Sequence, residues 1–367
     1  IFLLLVMILA PIVILGIWLS PRIIALFTPD PRILLLGTGY LRAGFAVLFF
    51  IEGQLTLAQL FRGSGEPSFS VAGMIVSTAV SLAAMPLFIF GAWGIPALGL
   101  PGAFLGTGLG KAAGTIVLSG FITSGRSRLH LRRDHLRPRR ELLIRIAGLS
   151  WPVTVQSLLE RGANLVILRV LSLSGAYALA AWGLGNRVIL TARIPGMGIH
   201  GAVRTLVGQN IGAGLPERAQ KSVWLGLGAT ALCVGATSIA LYFAADAVAR
   251  FFGMQGEAAR IGAMCLRFLS VGVTFDACRR VLAGAFQGAS NPKPPMLAVA
   301  ITRWGVQIPG AYLAGVVLGM GGAGVWGAVS GSQVFGSCVM ITLFWLGFWK
   351  RRLHEVAASP RVPGMTA

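Results

Sequence analysis

Three acidic side chains lie well inside long apolar runs of this sequence. They are Glu52, Glu160 and Asp276. At the centre of a bilayer a carboxylate costs about 2.5–3.5 kcal/mol even on the most lenient insertion scale. Such a group therefore pairs with a cation, takes up a proton or serves a functional purpose. These three residues are the first candidates for chemistry.

Glu160 belongs to a polar stripe in an otherwise apolar segment. Gln156, Glu160 and Asn164 recur every four residues, and this spacing places all three on one face of a helix. A polar face inside a membrane helix is expected to meet a cavity or another polar helix.

Asp276 lies in the segment TFDACRR, three and four residues before Arg279 and Arg280. At a rise of ~1.5 Å per residue, Glu160 is ~12 Å beyond Pro152 and Asp276 is ~16 Å before Gln287. Both counts start from the same side, so the two carboxylates can meet at one depth. The alternative is a salt bridge, either Asp276–Arg280 or Glu160 with an arginine. Seven arginines could pair with them or line a path: Arg161, Arg169, Arg187, Arg193, Arg279, Arg280 and Arg303.

Pro195 interrupts an apolar run within RIPGMGIHG. Arg193 precedes it, and Gly196 and Gly198 follow it. Proline removes a backbone hydrogen bond and kinks a helix. The kink is interpreted either as a hinge or as a static bend.

Ten apolar segments are predicted to form the helices that position these residues. They cover 1–20, 32–62, 67–91, 99–123, 145–172, 176–210, 216–249, 257–287, 293–318 and 322–349. A membrane-spanning helix needs roughly 20 mostly apolar residues. The fold class is therefore an all-α integral membrane protein with about ten transmembrane helices.

The chain contains an internal repeat. Residues 27–67 align with residues 252–292 at a constant offset of 225, and both copies end in a polar turn, FRGSGEP and FQGASNP. Two copies of one helical bundle are the usual plan of a secondary transporter, with the substrate path between the copies. Ile1 corresponds to Gly226, inside a helix of the second copy. We therefore expect the first copy to lack about two N-terminal helices.

The composition indicates that lipid surrounds this protein, and it argues against several functional classes of protein. Hydrophobic residues make up 55% and charged residues 11%, whereas soluble domains carry about a quarter charged residues. The net charge of +20 does not indicate nucleic-acid binding, because the basic residues are largely in short loops. The cysteines and histidines show no metal-binding spacing, and the sequence has no HExxH, GxSxG or Walker A motif.

Basic residues predict the orientation. One set of alternate loops, with the C-terminal tail, carries most of the loop Lys and Arg and is placed in the cytoplasm. These fifteen residues are Arg62, Arg126, Arg128, Arg132, Arg133, Arg137, Arg139, Arg140, Arg218, Lys221, Lys293, Lys350, Arg351, Arg352 and Arg361; the opposite set holds three, Arg22, Arg32 and Arg250.

Several stretches resemble the multidrug and toxin extrusion (MATE) family. They are YALAAWGLGNRV (177–188), GAVRTLVGQNIGAGLPERAQ (201–220), LFRGSGEP (60–67), PLFIFGAWGIPALGLPGAFLGTGLG (86–110) and LAGAFQGASNP (282–292). The resemblance implies two pseudo-symmetric six-helix lobes, twelve helices in all. Residues 1–123 would form the N-lobe, 124–140 a basic cytoplasmic linker, 141–350 the six-helix C-lobe and 351–367 a cytoplasmic tail.

The resemblance also implies an antiporter in the plasma membrane that exports amphipathic or cationic compounds in exchange for a proton or sodium ion. Glu160 and Asp276 match the acidic residues of the family's C-lobe cation site, which could hold the sodium ion. Gln156, Asn164 and Arg280 are possible accessories, as is Glu52, since the N-lobe has Ser81 and Met85 where the family carries polar residues. We expect the protein to be a monomer that contacts membrane lipids and a small-molecule substrate. We expect neither a cofactor nor a nucleic-acid partner.

Two alternatives stay open. A flippase for lipid-linked oligosaccharides would need a cationic cavity, for example one ringed by unpaired Arg161, Arg187, Arg279 and Arg280. An intramembrane enzyme or a scaffold is disfavoured by the missing catalytic motifs and by the two-copy layout.

Overall fold

A computed structural model of the protein describes residues 2–25, 30–91, 94, 96–127, 129 and 140–350. Most of the predicted linker at 124–140 and all of the predicted tail at 351–367 lie outside the described residues. The chain divides into two compact units between Arg140 and Glu141. We call them the N-unit (1–140) and the C-unit (141–367) and describe each by itself.

Every regular element of the described N-unit is a helix. These are α1 (Phe2–Ala25), α2 (Pro31–Gly63), α3 (Pro67–Phe90) and α4 (Leu100–Thr123). Proline begins or nearly begins three of them, because its missing N–H is one that the first turn of a helix leaves unbonded anyway.

The described C-unit is also helical throughout. Its α-helices are α5 (Arg140–Leu173), α6 (Ala176–Ala192), α7 (Ile194–Gly212), α8 (Pro216–Phe243), α9 (Ala245–Phe251), α10 (Gly256–Gly288), α11 (Lys293–Val299), α12 (Ile308–Tyr312) and α13 (Gly321–Trp345). Two π-helical stretches, Ala300–Gln307 and Leu313–Val317, join α11 to α12 and extend α12, and Phe348–Lys350 is a 3-10 turn.

The prediction of an all-α membrane fold is confirmed. Eight of the described helices are long and apolar enough to cross a membrane: α1 to α5, α8, α10 and α13. The other two predicted segments are helical but interrupted. Residues 176–212 break at Arg193, and residues 293–317 alternate between α and π turns.

The internal repeat is visible in the helix bounds. Helix α2 covers Pro31–Gly63 and α10 covers Gly256–Gly288, so both ends are offset by 225 residues. Each helix ends in the same hydrogen-bonded turn. The Glu66 N–H donates to the Phe61 carbonyl at 2.9 Å, and the equivalent Asn291 N–H donates to the Phe286 carbonyl at 2.9 Å. This pattern is the Schellman C-cap, which requires a left-handed residue just after the helix.

The residue in that left-handed position differs between the copies. It is Gly65 in the first turn, with φ of 84°, and Ser290 in the second, with φ of 57°. Glycine adopts this conformation without a steric cost, whereas a side chain does not. Ser290 is the only non-glycine residue with positive φ in the described ranges.

A stripe of glycines packs α4 tightly against α3 in the N-unit. Gly102, Gly106, Gly110 and Gly114 are buried and recur every four residues. A Cβ on Gly106 would lie 2.7 Å from the Met85 backbone, and one on Gly102 would lie 2.3 Å from the Phe88 carbonyl oxygen. Small residues at this spacing let membrane helices approach backbone to backbone.

Helix α10 runs through the centre of the C-unit. It packs against α6, α7, α8, α9 and α13. Its buried side chains contribute to both large hydrophobic clusters of the unit, Cys265, Leu266 and Val273 to one and Leu282 and Phe286 to the other. Because α10 is enclosed on several sides, most side chains in its middle, including Asp276, are buried.

Candidate functional site: an arginine–carboxylate cluster in the C-unit

Asp276 lies near the middle of α10 and is completely buried, with 0% of its side chain exposed. Four guanidinium groups surround its carboxylate. Arg279 Nη2 is 2.9 Å from Oδ1 and Arg303 Nη2 is 3.3 Å from Oδ1, while Arg280 Nε is 2.9 Å and Arg193 Nη2 is 3.2 Å from Oδ2. A buried carboxylate of this kind is stabilised only if its lone pairs are satisfied.

Glu160 reaches the same cluster from α5. Its Oε1 accepts a hydrogen bond from Arg279 Nη2 at 3.1 Å, and its Oε2 lies 3.7 Å from Arg280 Nη2. The side chain is 19% exposed. Arg279 Nη2 therefore contacts both carboxylates, which places Glu160 and Asp276 at one depth, as the spacing predicted.

Two contacts with Trp304 hold α5 in the position that this geometry needs. The Trp304 indole Nε1 donates a hydrogen bond to the Leu159 carbonyl at 3.1 Å. A Cβ on Gly162 would lie 3.2 Å from the Trp304 ring, so the glycine makes room for it. Both contacts are within two residues of Glu160.

Arg303 comes from the π-helical stretch Ala300–Gln307. Such stretches shift the register of side chains and are frequent at functional sites. Arg303 also hydrogen-bonds the Gln307 side-chain oxygen, which in turn accepts a hydrogen bond from the Ser332 hydroxyl at 3.2 Å. These bonds fix a guanidinium that would otherwise be a costly buried charge.

The other three arginine residues contact, or lie between, the helices that flank α10. The stem of Arg279 packs at Gly336 of α13, where a Cβ would lie 3.2 Å from Arg279 Cδ. The Nδ1 atom of His200 on α7 is 2.7 Å from the Arg280 carbonyl oxygen. Arg193 occupies the break between α6 and α7, and this break directs its side chain to Asp276.

Four guanidinium groups and two carboxylates give the cluster a net charge of +2. All four carboxylate oxygens are within ion-pair distance of at least one guanidinium nitrogen. A sodium ion or a proton on either carboxylate must therefore displace or weaken an arginine contact. The carboxylates have the right chemistry to bind a cation, but in this arrangement their own arginines occupy them.

The structure places the remaining predicted residues less centrally. Gln156 is partly buried one turn before Glu160, and its Oε1 is buried without a hydrogen-bond partner in the described part of the chain. Asn164 is exposed. Glu52 lies on α2 of the N-unit and is partly buried. Pro195 is exposed in the first turn of α7, just after the break at Arg193.

Residue spacing does not identify Arg193 and Arg303 as partners of Asp276, although both are among the seven candidate arginines. They are 83 and 27 residues away along the chain, so no helical spacing connects them to Asp276. One local signal was available for Arg303. Gln307 follows it by four residues, a spacing that allows the two side chains to pair on one helix face.

A pocket of about 420 Å³ lies in the C-unit between α5, α7 and the end of α10. Its lining includes Val153, Thr154 and Ser157 of α5, together with Arg204 and Gln287. Ser157 is three residues before Glu160, so the pocket begins within about one helical turn of the cluster along α5. The volume falls in the range of pockets that bind small molecules.

Comparison with known proteins identifies the family. The family model MatE matches residues 1–87 and 152–313. Among curated proteins, the chain is 23% identical over 309 residues to "Probable multidrug resistance protein NorM" of Thermotoga maritima, covering 84% of this chain and 65% of that protein. It is 27% identical to the protein of the same name from Pseudomonas aeruginosa, covering 80% and 60%. The chain thus spans less than two thirds of the length of these relatives.

Solved structures show the same fold. One described as "Crystal structure of MATE in the bent conformation" has a TM-score of 0.86 at 18% identity and covers 98% of this chain and 78% of that one. A MOP superfamily transporter from Pyrococcus furiosus, described as having a binding pocket of reverse polarity that suggests a different function, has a TM-score of 0.85 at 17% identity and the same coverage. Since the MatE model covers well over half of the sequence, the chain belongs to the MATE family of multi-pass membrane transporters.

Proposed function

We propose that this chain exports amphipathic or cationic compounds by secondary active transport, in exchange for a proton or a sodium ion, with Glu160 and Asp276 as the coupling residues. Family membership supports export, and the relatives from T. maritima and P. aeruginosa are named as probable multidrug resistance proteins. The observation that carries the choice of residues is the shared guanidinium. Arg279 Nη2 lies 3.1 Å from Glu160 and 2.9 Å from Asp276.

Coupling would arise from competition between two sets of partners. In the proposed cycle, the arginines would pair with the carboxylates when no cation is bound, and a bound cation would release arginines from them. Because Glu160 is on α5 and Asp276 is on α10, the two states favour different positions of these helices. A ligand drives a conformational change only through such a difference in affinity. One proton crossing 100 mV supplies ~2.3 kcal/mol, enough for more than a tenfold gradient.

Pro195 is the proposed hinge of this change. It lies beside Arg193, whose side chain contacts Asp276, so bending at the α6–α7 break would move a cluster arginine. Pro195→Ala should slow export while leaving ligand binding unchanged. Equal export rates for this variant and the parent would show that the kink is static.

The test is export by the chain reconstituted in liposomes. The cationic dye rhodamine 123 is loaded, and an inward proton gradient or sodium gradient is applied in separate experiments. We expect dye release with one gradient, and loss of that release in the double variant Glu160→Gln, Asp276→Asn. Glu217→Gln serves as the matched control, since Glu217 is exposed in the first turn of α8. Normal release by the double variant would refute the residue assignment.

The second candidate is a flippase for lipid-linked oligosaccharides, which would also act in the plasma membrane. The observation that favours it is the excess of positive charge in the cluster. In addition, the structurally similar P. furiosus transporter is described as having a binding pocket of reverse polarity. However, the expected ring of unpaired arginines is not formed in the described residues, because Arg279 and Arg280 are paired with carboxylates. Drug export therefore fits the geometry better, and a lipid-flipping assay on the same liposomes distinguishes the two.

A further inference from the structure

The cluster around Asp276 holds more positive charge than its own acids can neutralise. In the described part of the chain, Glu160 and Asp276 are the only carboxylates within ion-pair distance of its four arginines. Two guanidinium charges are left without a counter-charge inside a membrane protein. Uncompensated charges inside membrane proteins are rare and usually belong to a binding site or a transport path.

The cluster also has more hydrogen-bond donors than acceptors. Each guanidinium carries five N–H groups and each carboxylate about four lone-pair sites, so about twenty donors face about eight carboxylate sites. Arg193 Nε is buried and has no hydrogen-bond partner within the described residues. A buried donor without a partner is costly, and an acceptor supplied from outside would remove that cost.

Two of the arginines are accessible to such an acceptor. The side chain of Arg280 is 37% exposed and that of Arg193 is 23% exposed, whereas Arg279 and Arg303 are nearly covered. Both accessible arginines contact the same Asp276 oxygen, Oδ2, at 2.9 and 3.2 Å. Their guanidinium groups are therefore close neighbours, as a planar, bidentate acidic group requires.

We propose that Arg193 and Arg280 bind an acidic group, a carboxylate or a phosphate, on the exported amphipathic compound. This inference rests on the proposed export function and names a substrate class for the same site. A cationic group would have to enter a centre of net charge +2 and displace a guanidinium. An acidic group instead neutralises the excess charge and uses donors that the protein leaves unbonded.

A pair of dyes that differ in one group tests the proposal. Rhodamine 110 has a free carboxylate, and rhodamine 123 is its methyl ester. Binding of each dye to the intact chain in phosphatidylcholine nanodiscs is measured by fluorescence anisotropy. We expect rhodamine 110 to bind about tenfold or more tightly than rhodamine 123, because charge-assisted hydrogen bonds to a carboxylate contribute that much. The preference should fall below about threefold in Arg280→Gln and in Arg193→Gln.

Arg267→Gln is the matched control, since Arg267 pairs with Asp246 outside the cluster and should keep the full preference. Equal affinities of the two dyes for the unmodified chain, or an unchanged preference in both cluster variants, would overturn the proposal. Nanodiscs rich in phosphatidylglycerol separate a substrate site from a lipid headgroup site. If the preference for rhodamine 110 is unchanged in these nanodiscs, the result supports a substrate site. If the lipid headgroups compete and the preference is lost, the result refutes a substrate site. Binding without export would contradict the proposed function alone, and export of rhodamine 123 without a carboxylate preference would contradict this inference alone.

Discussion

Asp276 is the residue on which the C-unit site most depends, because it is fully buried and contacts four guanidinium groups. Asp276→Asn should destabilise the protein by about 3–5 kcal/mol, the usual cost of removing one partner from a buried ion pair. Glu160→Gln should cost less, about 1.5–3 kcal/mol, since Glu160 is partly exposed and contacts only two of the arginines.

Thermal unfolding in detergent measures this difference. The expected order of melting temperatures is parent, then Glu160→Gln, then Asp276→Asn, with Glu217→Gln equal to the parent. A melting temperature for Asp276→Asn at or above that of Glu160→Gln would show that the arginines do not depend on Asp276. Adding Arg279→Gln to Asp276→Asn should recover part of the loss, because it removes one unpaired charge.

Ser290 gives a second prediction for a single residue. It holds the left-handed position that glycine holds at Gly65 in the other copy of the repeat. A left-handed conformation costs a residue with a side chain about 1–2 kcal/mol. Replacing that residue with glycine removes this cost but also loses about half of the gain, because glycine makes the unfolded chain more flexible. Ser290→Gly should therefore stabilise the protein by up to about 1 kcal/mol.

The reciprocal change, Gly65→Ala, is the comparison for Ser290→Gly. It should destabilise by about 1 kcal/mol, because alanine meets the same steric cost at φ of 84°. Melting temperatures of both variants measure the effect. A lower melting temperature for Ser290→Gly than for the parent would mean that the serine side chain stabilises the turn by more than its conformational cost.

The spacing of residues within one element predicted part of the site. Counting along the helices from Pro152 and Gln287 placed Glu160 and Asp276 at one depth, and Arg279 and Arg280 followed from helical spacing. Arg193 and Arg303 could not be assigned as partners in this way. Their positions depend on how α6, α7 and the 293–317 segment pack around α10, and hydropathy contains no information about that packing.

At the scale of the element, the ends of helices were more predictable than their interiors. Pro67, Pro216 and the polar turns FRGSGEP and FQGASNP, which follow α2 and α10, set boundaries that the structure confirms to within a few residues. The break at Arg193 was anticipated near Pro195. The π-helical stretches Ala300–Gln307 and Leu313–Val317 were not anticipated, because a change of hydrogen-bond register leaves no mark on an apolar run.

The glycine stripe of α4 gives a prediction at the scale of an element pair. Gly106→Ala places a methyl group 2.7 Å from the α3 backbone at Met85, which cannot yield as a flexible side chain could. We expect a loss of about 1–3 kcal/mol from overpacking. Faster hydrogen exchange of peptides from residues 67–123 would report the loosened α3–α4 contact.

Gly120→Ala is the control on the same helix, since a Cβ there has no neighbour within 4 Å. It should leave exchange in both helices unchanged, because alanine favours a helix at least as well as glycine. If the amide hydrogens of residues 67–123 exchange at the parent rate in both the Gly106→Ala and the Gly120→Ala variants, α3 and α4 are not in the backbone contact described above.

At the scale of the whole molecule, the basic residues predict that the C-terminus is cytoplasmic. A C-terminal green fluorescent protein fusion should therefore fluoresce, because this reporter folds in the cytoplasm. A C-terminal alkaline phosphatase fusion should be inactive, because that enzyme needs the oxidising side of the membrane. The opposite pair of results would reverse the orientation and would place the pocket at Ser157 and Gln287 on the outer side.

The most direct test of the central claim is cation exchange at Glu160 and Asp276, measured by binding rather than by transport. The purified chain is held in weakly buffered solution with radioactive sodium, saturating rhodamine 123 is added, and the release of protons and of sodium is recorded. We expect the dye to release one of the two cations from the parent and from Glu217→Gln, and none from the double variant Glu160→Gln, Asp276→Asn. Equal release from the double variant and the parent would contradict the claim that these carboxylates bind the coupling ion.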